Sequence, residues 1–166
     1  FASLAFPAPH WPLQATEEQL AKYVGRYDAG YDVAYAERIA RMRELGLVGD
    51  DPVLPMRAAN QPAWVELNDE QKKIEARKME LFAAMVDALD ANVGRVIAEL
   101  KETGEFENTF IMFMSDNGAE ILDHGIFKPF DNFVAKCCDN SYENMGKPNS
   151  YVYCGPNWAR VSNGHL

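Results

Sequence analysis

The sequence predicts an α/β fold: a partial, mostly parallel sheet with covering helices. Three observations lead there. Two short apolar runs, Phe1–Phe6 and Thr109–Met114, have the length and continuity of strands buried on both faces. Between them lie helical stretches, and the one after Asn68 carries an apolar stripe at the 3.6-residue period. Strand, helices and strand in that order describe a crossover connection, expected to be right-handed.

The elements follow in chain order. Pro7, Pro9 and Pro12 close the first strand and hold Ala8–Gln14 extended, because each proline disfavours helix before it. Thr16 ahead of Glu17-Glu18-Gln19 reads as an N-cap with a reciprocal capping box. A second helix is expected from about Asp32 to Leu45, with Ala36, Ile39, Ala40 and Arg43 at helical spacing and Gly46 as the left-handed residue after it. Gly49 to Pro62 is rich in breakers and reads as a loop. Asn68 then caps, with Gln71 at the third helical position, and a helix can run from Asp69 to Thr103 before Gly104.

Its stripe comprises Ile74, Leu81, Phe82, Met85, Val86, Leu89, Val93, Val96, Ile97 and Leu100, of which Phe82, Val86, Leu89, Val93 and Ile97 are expected to pack on the sheet. Asp87 and Asp90 beside the stripe are expected to be structural. Unbroken, this helix is roughly 50 Å long at ~1.5 Å per residue. That exceeds the roughly 40 Å diameter of a compact chain of this size, so a larger parent domain is expected. The tail from Ala119 to Leu166 is rich in Asn, Gly and Pro and reads as irregular.

Composition narrows the function. The 166 residues carry 16 Lys+Arg against 25 Asp+Glu, a formal net charge of −9. A nucleic-acid or anionic membrane surface needs clustered positive charge, so neither partner is expected. No apolar run approaches the ~18 residues of a membrane span. The 3 cysteines include the adjacent Cys137 and Cys138, which build no disulfide framework and no C-x-x-C metal pair. The chain opens on Phe1 and stops at Leu166 without a cap or strand partner, so material is expected to be missing on both sides.

Ser115-Asp116-Asn117-Gly118 follows directly on the second apolar run. Ligands of open α/β sheets bind beyond the carboxyl ends of strands. A carboxylate beside a carboxamide offers hard oxygen donors suited to Ca²⁺ or Mg²⁺. The same residues are also strong turn formers, which is the simpler alternative. His10, pinned between prolines just past the first run, could bind an anion or protonate a leaving group. Its simpler alternative is a surface histidine stacked on Trp11. His124 and His165 have no partner at ligand spacing. Glu17-Glu18 and Asp50-Asp51 read as helix-terminal and loop charges. No dinucleotide fingerprint, P-loop, nucleophile elbow or H-E-x-x-H motif occurs.

Several stretches together resemble the sulfatase family, of the bacterial and fungal arylsulfatase type within the alkaline-phosphatase-like superfamily. They are Ala8-Pro-His-Trp-Pro-Leu-Gln-Ala15, Gly25-Arg-Tyr-Asp-Ala-Gly30, Lys78 through Asp87, Ser115-Asp-Asn-Gly-Ala-Glu120, Asp139–Asn144, Asn149–Val152 and Gly155-Pro-Asn-Trp-Ala159. Tyr31 stands where the family usually has tryptophan, Tyr35 where it usually has arginine, and Cys137-Cys138 is unfamiliar.

The resemblance implies that residues 1–166 are the central part of one sulfatase catalytic domain, truncated at both ends. It implies a small-molecule sulfate ester as substrate and one Ca²⁺, to which Asp116 and Asn117 contribute ligands. It implies that His10 contacts the ester. The family nucleophile is a formylglycine made within a C/S-x-P-x-R signature. That signature is absent here: Cys154-Gly-Pro156 has Trp158 where the arginine belongs, and is rejected as a decoy. Sulfatase activity is therefore expected of the complete polypeptide only. The alternatives are a related phosphodiester or phosphonate ester hydrolase, or a catalytically silent metal-binding module.

Overall fold

The computed structural model describes residues 1–50, 56, 57, 60–121, 134 and 136–164. Four α-helices organise them: α1 (Glu17–Ala21), α2 (Tyr31–Glu44), α3 (Asp69–Glu102) and α4 (Pro156–Asn163). Helix α1 starts where a capping box starts it. The Gln19 amide donates to Thr16 Oγ1 at 3.2 Å and the Thr16 amide to Gln19 Oε1 at 3.1 Å. Helix α3 begins the same way, with Asn68 and Gln71 exchanging two bonds of 2.9 Å. Two orphan amides are satisfied at each start. Helix α2 lies within one residue of its expected bounds, and Gly46 follows it at φ 68°.

The α/β expectation is overturned: no strand and no sheet occur among the described residues. Phe1–Phe6 and Thr109–Met114 hold no ladder hydrogen bonds, and their apolar side chains are exposed. Phe110 keeps 86% of its surface and Leu4 56%. A strand exists only through a neighbour that accepts and donates along its edge. An apolar run records a tendency to be extended and buried, but cannot name that neighbour.

Two helical faces also differ from expectation. In α2 the buried side chains are Tyr31, Tyr35 and Ile39, while Ala36, Ala40 and Arg43 are exposed. The aromatics at i and i+4 supply most apolar area, so they set the inward face. In α3 the fully buried residues are Ala76, Glu80, Leu81, Ala83 and Ala84. Ile74, Phe82 and Met85 pack partly against them, while Val86 and Val96 are exposed. The small alanines admit close approach by the segments that cover the first half of α3.

The core has two clusters. One gathers Tyr31, Tyr35, Ile39, Trp64, Ala76, Trp158 and Val161; the other Leu13, Leu81, Met145 and Val152. Cys154 packs against both. Helix α4 lies within the tail expected to be irregular. Pro156 at its first turn and Gly164 after it are ordinary start and stop signals. Trp158 and Val161 of α4 are buried against α2 and α3. Glu80, 3% exposed, accepts from the Gly25 amide at 2.8 Å and lies 3.3 Å from Arg77, which ties the turn before α2 to α3. Lys22 pairs with Asp87 at 2.6 Å between α1 and α3, so Asp87 is structural as expected. The pairing raises the Lys22 pKa and lowers that of Asp87, through their hydrogen bond first.

Leu81 is wholly buried among Leu13, Met145 and Val152. Leu81→Ala is expected to cost about 2–5 kcal/mol through lost transfer energy and residual cavity. Urea unfolding followed by tryptophan fluorescence checks this, and an unchanged midpoint would contradict the packing described.

Candidate functional site

His10 sits on a loop pinned at several points. Its amide donates to Pro7 O at 2.8 Å, and the Ala8-Pro9 and Trp11-Pro12 bonds are cis. Leu13 anchors the loop in the second core cluster, with its amide donating to Val152 O at 2.7 Å. The His10 ring lies 4.7 Å from the Trp11 ring, and Nδ1 is 2.6 Å from Trp11 O. A carbonyl oxygen only accepts, so Nδ1 carries the hydrogen. Nε2 then accepts in the neutral ring and donates in the imidazolium. The ring is exposed and stacked on Trp11, the arrangement of the simpler alternative, yet its orientation is fixed.

Asp116 and Asn117 occupy an exposed bend. The Asn117 amide donates to Asp116 Oδ1 at 3.0 Å, Ser115 Oγ donates to Asn117 O at 2.6 Å, and Asn117 Nδ2 donates to Gly118 O at 2.9 Å. Among the described residues no donor is bonded to Asp116 Oδ2 or Asn117 Oδ1. One carboxylate and one carboxamide oxygen fit a hard divalent cation such as Ca²⁺. They fill a minority of its shell, and no group of 3 or more His, Cys, Asp or Glu able to hold a metal occurs among the described residues.

No bond or ring contact joins His10 to Asp116 among the described residues. Tyr151 lies beside the His10 loop. Its ring is 5.5 Å from that of Trp11, and its phenol pKa is raised by burial and then by the charge of Glu120. The sheet edge expected to gather both groups is not what relates them. On the far side of the bend, the Ala119 backbone is held by Asn163 of α4. Tyr151 lies within the Asn149–Val152 stretch that resembles the family, whereas Asn163 lies outside every such stretch. Asn163 lies 44 residues from Ala119, and local patterning carries no signal at that distance. His124 and His165 lie outside the described residues.

Burial pushes the Cys154 thiol up to about 12, offset in part by the Lys78 ammonium. Lys78 is itself paired with Glu75 at 2.5 Å, beside a cavity of about 240 Å³ between α3 and the Tyr153–Asn157 segment. Cys137 and Cys138 are bonded to each other.

The family model described as Sulfatase matches residues 1–156, a span that includes both loops. The chain belongs to the sulfatase family. This sulfatase chain is 46% identical over 165 residues to an uncharacterized sulfatase of Schizosaccharomyces pombe, covering 98% of this chain and 30% of that protein. It is 42% identical over 163 residues to an arylsulfatase of Klebsiella aerogenes, covering 98% of this chain and 35% of that protein. It is 33% identical over 97 residues to an N-acetylglucosamine-6-O-sulfatase of Bacteroides thetaiotaomicron, covering 58% of this chain and 14% of that one. The sulfatase chain thus spans about a third of the length of the first two relatives.

With its pKa near 12, the Cys154 thiol stays protonated at pH 8, and only the thiolate reacts. Iodoacetamide at pH 8 is expected to leave it unmodified in the folded chain and to label it after urea unfolding, read by mass spectrometry. Because the folded pKa lies above the thiol's ordinary value of 9.0, its stabilising contribution is complete below pH 9 and is lost as pH rises toward about 12.

Proposed function

We propose that this sulfatase hydrolyses sulfate esters of the aryl type, with His10 at the ester and Asp116 and Asn117 at a calcium ion. The observation that carries the reading is the 42% identity to an arylsulfatase across 98% of the chain, including both loops. The formylglycine nucleophile is expected from polypeptide outside these 166 residues, since no C/S-x-P-x-R signature occurs in them.

This chain's own residues supply binding, orientation and a proton. Trp11 O fixes the His10 ring through Nδ1, leaving Nε2 for the oxygen that bridges sulfur and the alcohol. As the S–O bond breaks, an imidazolium Nε2 gives its proton to that oxygen, and the alcohol or phenol departs neutral. Asp116 and Asn117 would hold the cation through oxygens on adjacent residues, and the bonds within the bend fix the spacing. A bound calcium ion supplies Lewis-acid neutralisation of the sulfate oxygens.

In the complete protein with calcium, release of phenol from an aryl sulfate is the test. His10→Ala is expected to lower kcat by roughly 10²–10⁴, the usual range for a general acid, while leaving calcium affinity unchanged. The 166-residue chain alone is expected to show no turnover and only weak calcium binding. Turnover of aryl phosphodiesters without turnover of aryl sulfates by the complete protein would overturn the reading.

A further inference from the structure

We propose that Asn163 is a positioning residue for the cation-binding bend: its carboxamide clamps the Ala119 backbone and so sets where Asp116 and Asn117 present their oxygens. The proposal rests on the calcium reading above. Asn163 Oδ1 accepts from the Ala119 amide at 2.7 Å, and Asn163 Nδ2 donates to Ala119 O at 3.2 Å. Both backbone groups of one residue are thus satisfied by a single side chain. Among side chains of this length only a neutral carboxamide offers an acceptor and a donor together.

The neighbouring glycine leaves room for the clamp. A Cβ at Gly118 would fall 2.6 Å from Asn163 Oδ1. Gly118 has no left-handed φ, so backbone conformation does not demand glycine there. Space does: the bare backbone lets the carboxamide reach the next residue. The bend's other bonds, from Ser115, Asn117 and the Asn117 amide, stay within residues 115–118. They give the bend a shape but no fixed place in the molecule.

The clamp supplies that place, because its other end is rigid. Asn163 is the last residue of α4, whose Trp158, Ala159 and Val161 are buried. Gly164 just beyond accepts from the buried Tyr35 hydroxyl at 3.1 Å. Ala119 is separated from Asn117 by Gly118 alone. A ligand pair on such a short tether inherits the position of its anchor, as metal ligands generally depend on the groups that orient them.

The test is calorimetric titration of calcium into the metal-free complete protein, for wild type, Asn163→Ala, Gly118→Ala, the double variant and Asp116→Ala. Asn163→Ala is expected to weaken calcium binding roughly 10–100-fold, the usual cost of losing an orienting partner. Saturating calcium is expected to restore its kcat with KM for the ester unchanged. Gly118→Ala is expected to weaken calcium comparably while Asn163 is present. In the Asn163→Ala background it should add little, since the cycle then has nothing left to break. Should Asn163→Ala not fold, Gly118→Ala against wild type carries the test.

Wild-type calcium affinity in the folded Asn163→Ala or Gly118→Ala protein, with binding lost in Asp116→Ala, overturns the positioning role and leaves the calcium reading standing. Unchanged affinity in Asp116→Ala overturns the calcium reading, and the positioning role with it.

Discussion

The burial of Trp158 holds the described structure together. Its ring is edge-on to Tyr27 and Tyr31 at centroid distances of 5.6 Å each, and to Trp64 at 6.3 Å. Its indole N–H donates to Glu75 O on α3 at 2.9 Å, so no polar atom is stranded when the ring is removed from water. Four elements converge on one side chain: α2 through Tyr31, α3 through Ala76 and Glu75, the turn at Trp64, and α4 itself. Trp64 can close on this group because Gly30 has no Cβ. One built there would lie 2.1 Å from the Trp64 ring, on a residue already at φ 87°. Docked this way, α4 carries Arg160 over the Tyr35 ring at 3.7 Å and brings Asn163 to Ala119.

Local signals in the sequence were legible where the physics is local. The capping boxes at Thr16 and Asn68, helix α2 and the span of α3 all follow from interactions within a few residues, and each stands as expected. The two apolar runs form no strand because strand formation is a pairwise property. Phe110 to Met114 reads the same whether or not another segment lies alongside it. The inward face of α3 failed for a related reason. Ala76, Ala83 and Ala84 are weakly hydrophobic, and only the segments that close over them select that face over the larger Val86 and Val96. Helix α4 had adequate signals in Gly155-Pro156 and Gly164, outweighed by the breaker-rich composition around it.

For the candidate site, chemistry was readable and placement was not. Asp116 and Asn117 announce hard oxygen donors by identity, and His10 a fixed imidazole by its prolines. Their relation to each other was inferred from a sheet edge that is not found among the described residues. What places each loop is its own set of long-range contacts. Tyr151 packs on Trp11 and the amide of Leu13 reaches the adjoining Val152, while Asn163 holds Ala119. Such contacts are set by the way helices and loops close over a core, and single-sequence periodicity contains none of that information.

Charge explains why the two loops would need a cation between them and an anionic ester. The chain carries a formal −9, yet its distant charges are screened beyond about 8 Å at physiological ionic strength. Local groups therefore decide whether a sulfate can approach. Glu120 and Asp116 lie on the same short segment, and both repel an anion. His10 offers at most one positive charge against these two. A divalent ion held by Asp116 and Asn117, as proposed, would reverse the local sign, as bound cations do wherever they are the largest charge in a site. On the proposed reading the carboxylate would then attract the substrate through the ion, and its position would matter more than its charge. A carboxamide clamp suits that need: Asn163 fixes the backbone beside the bend without adding charge to a place where sign is already finely balanced.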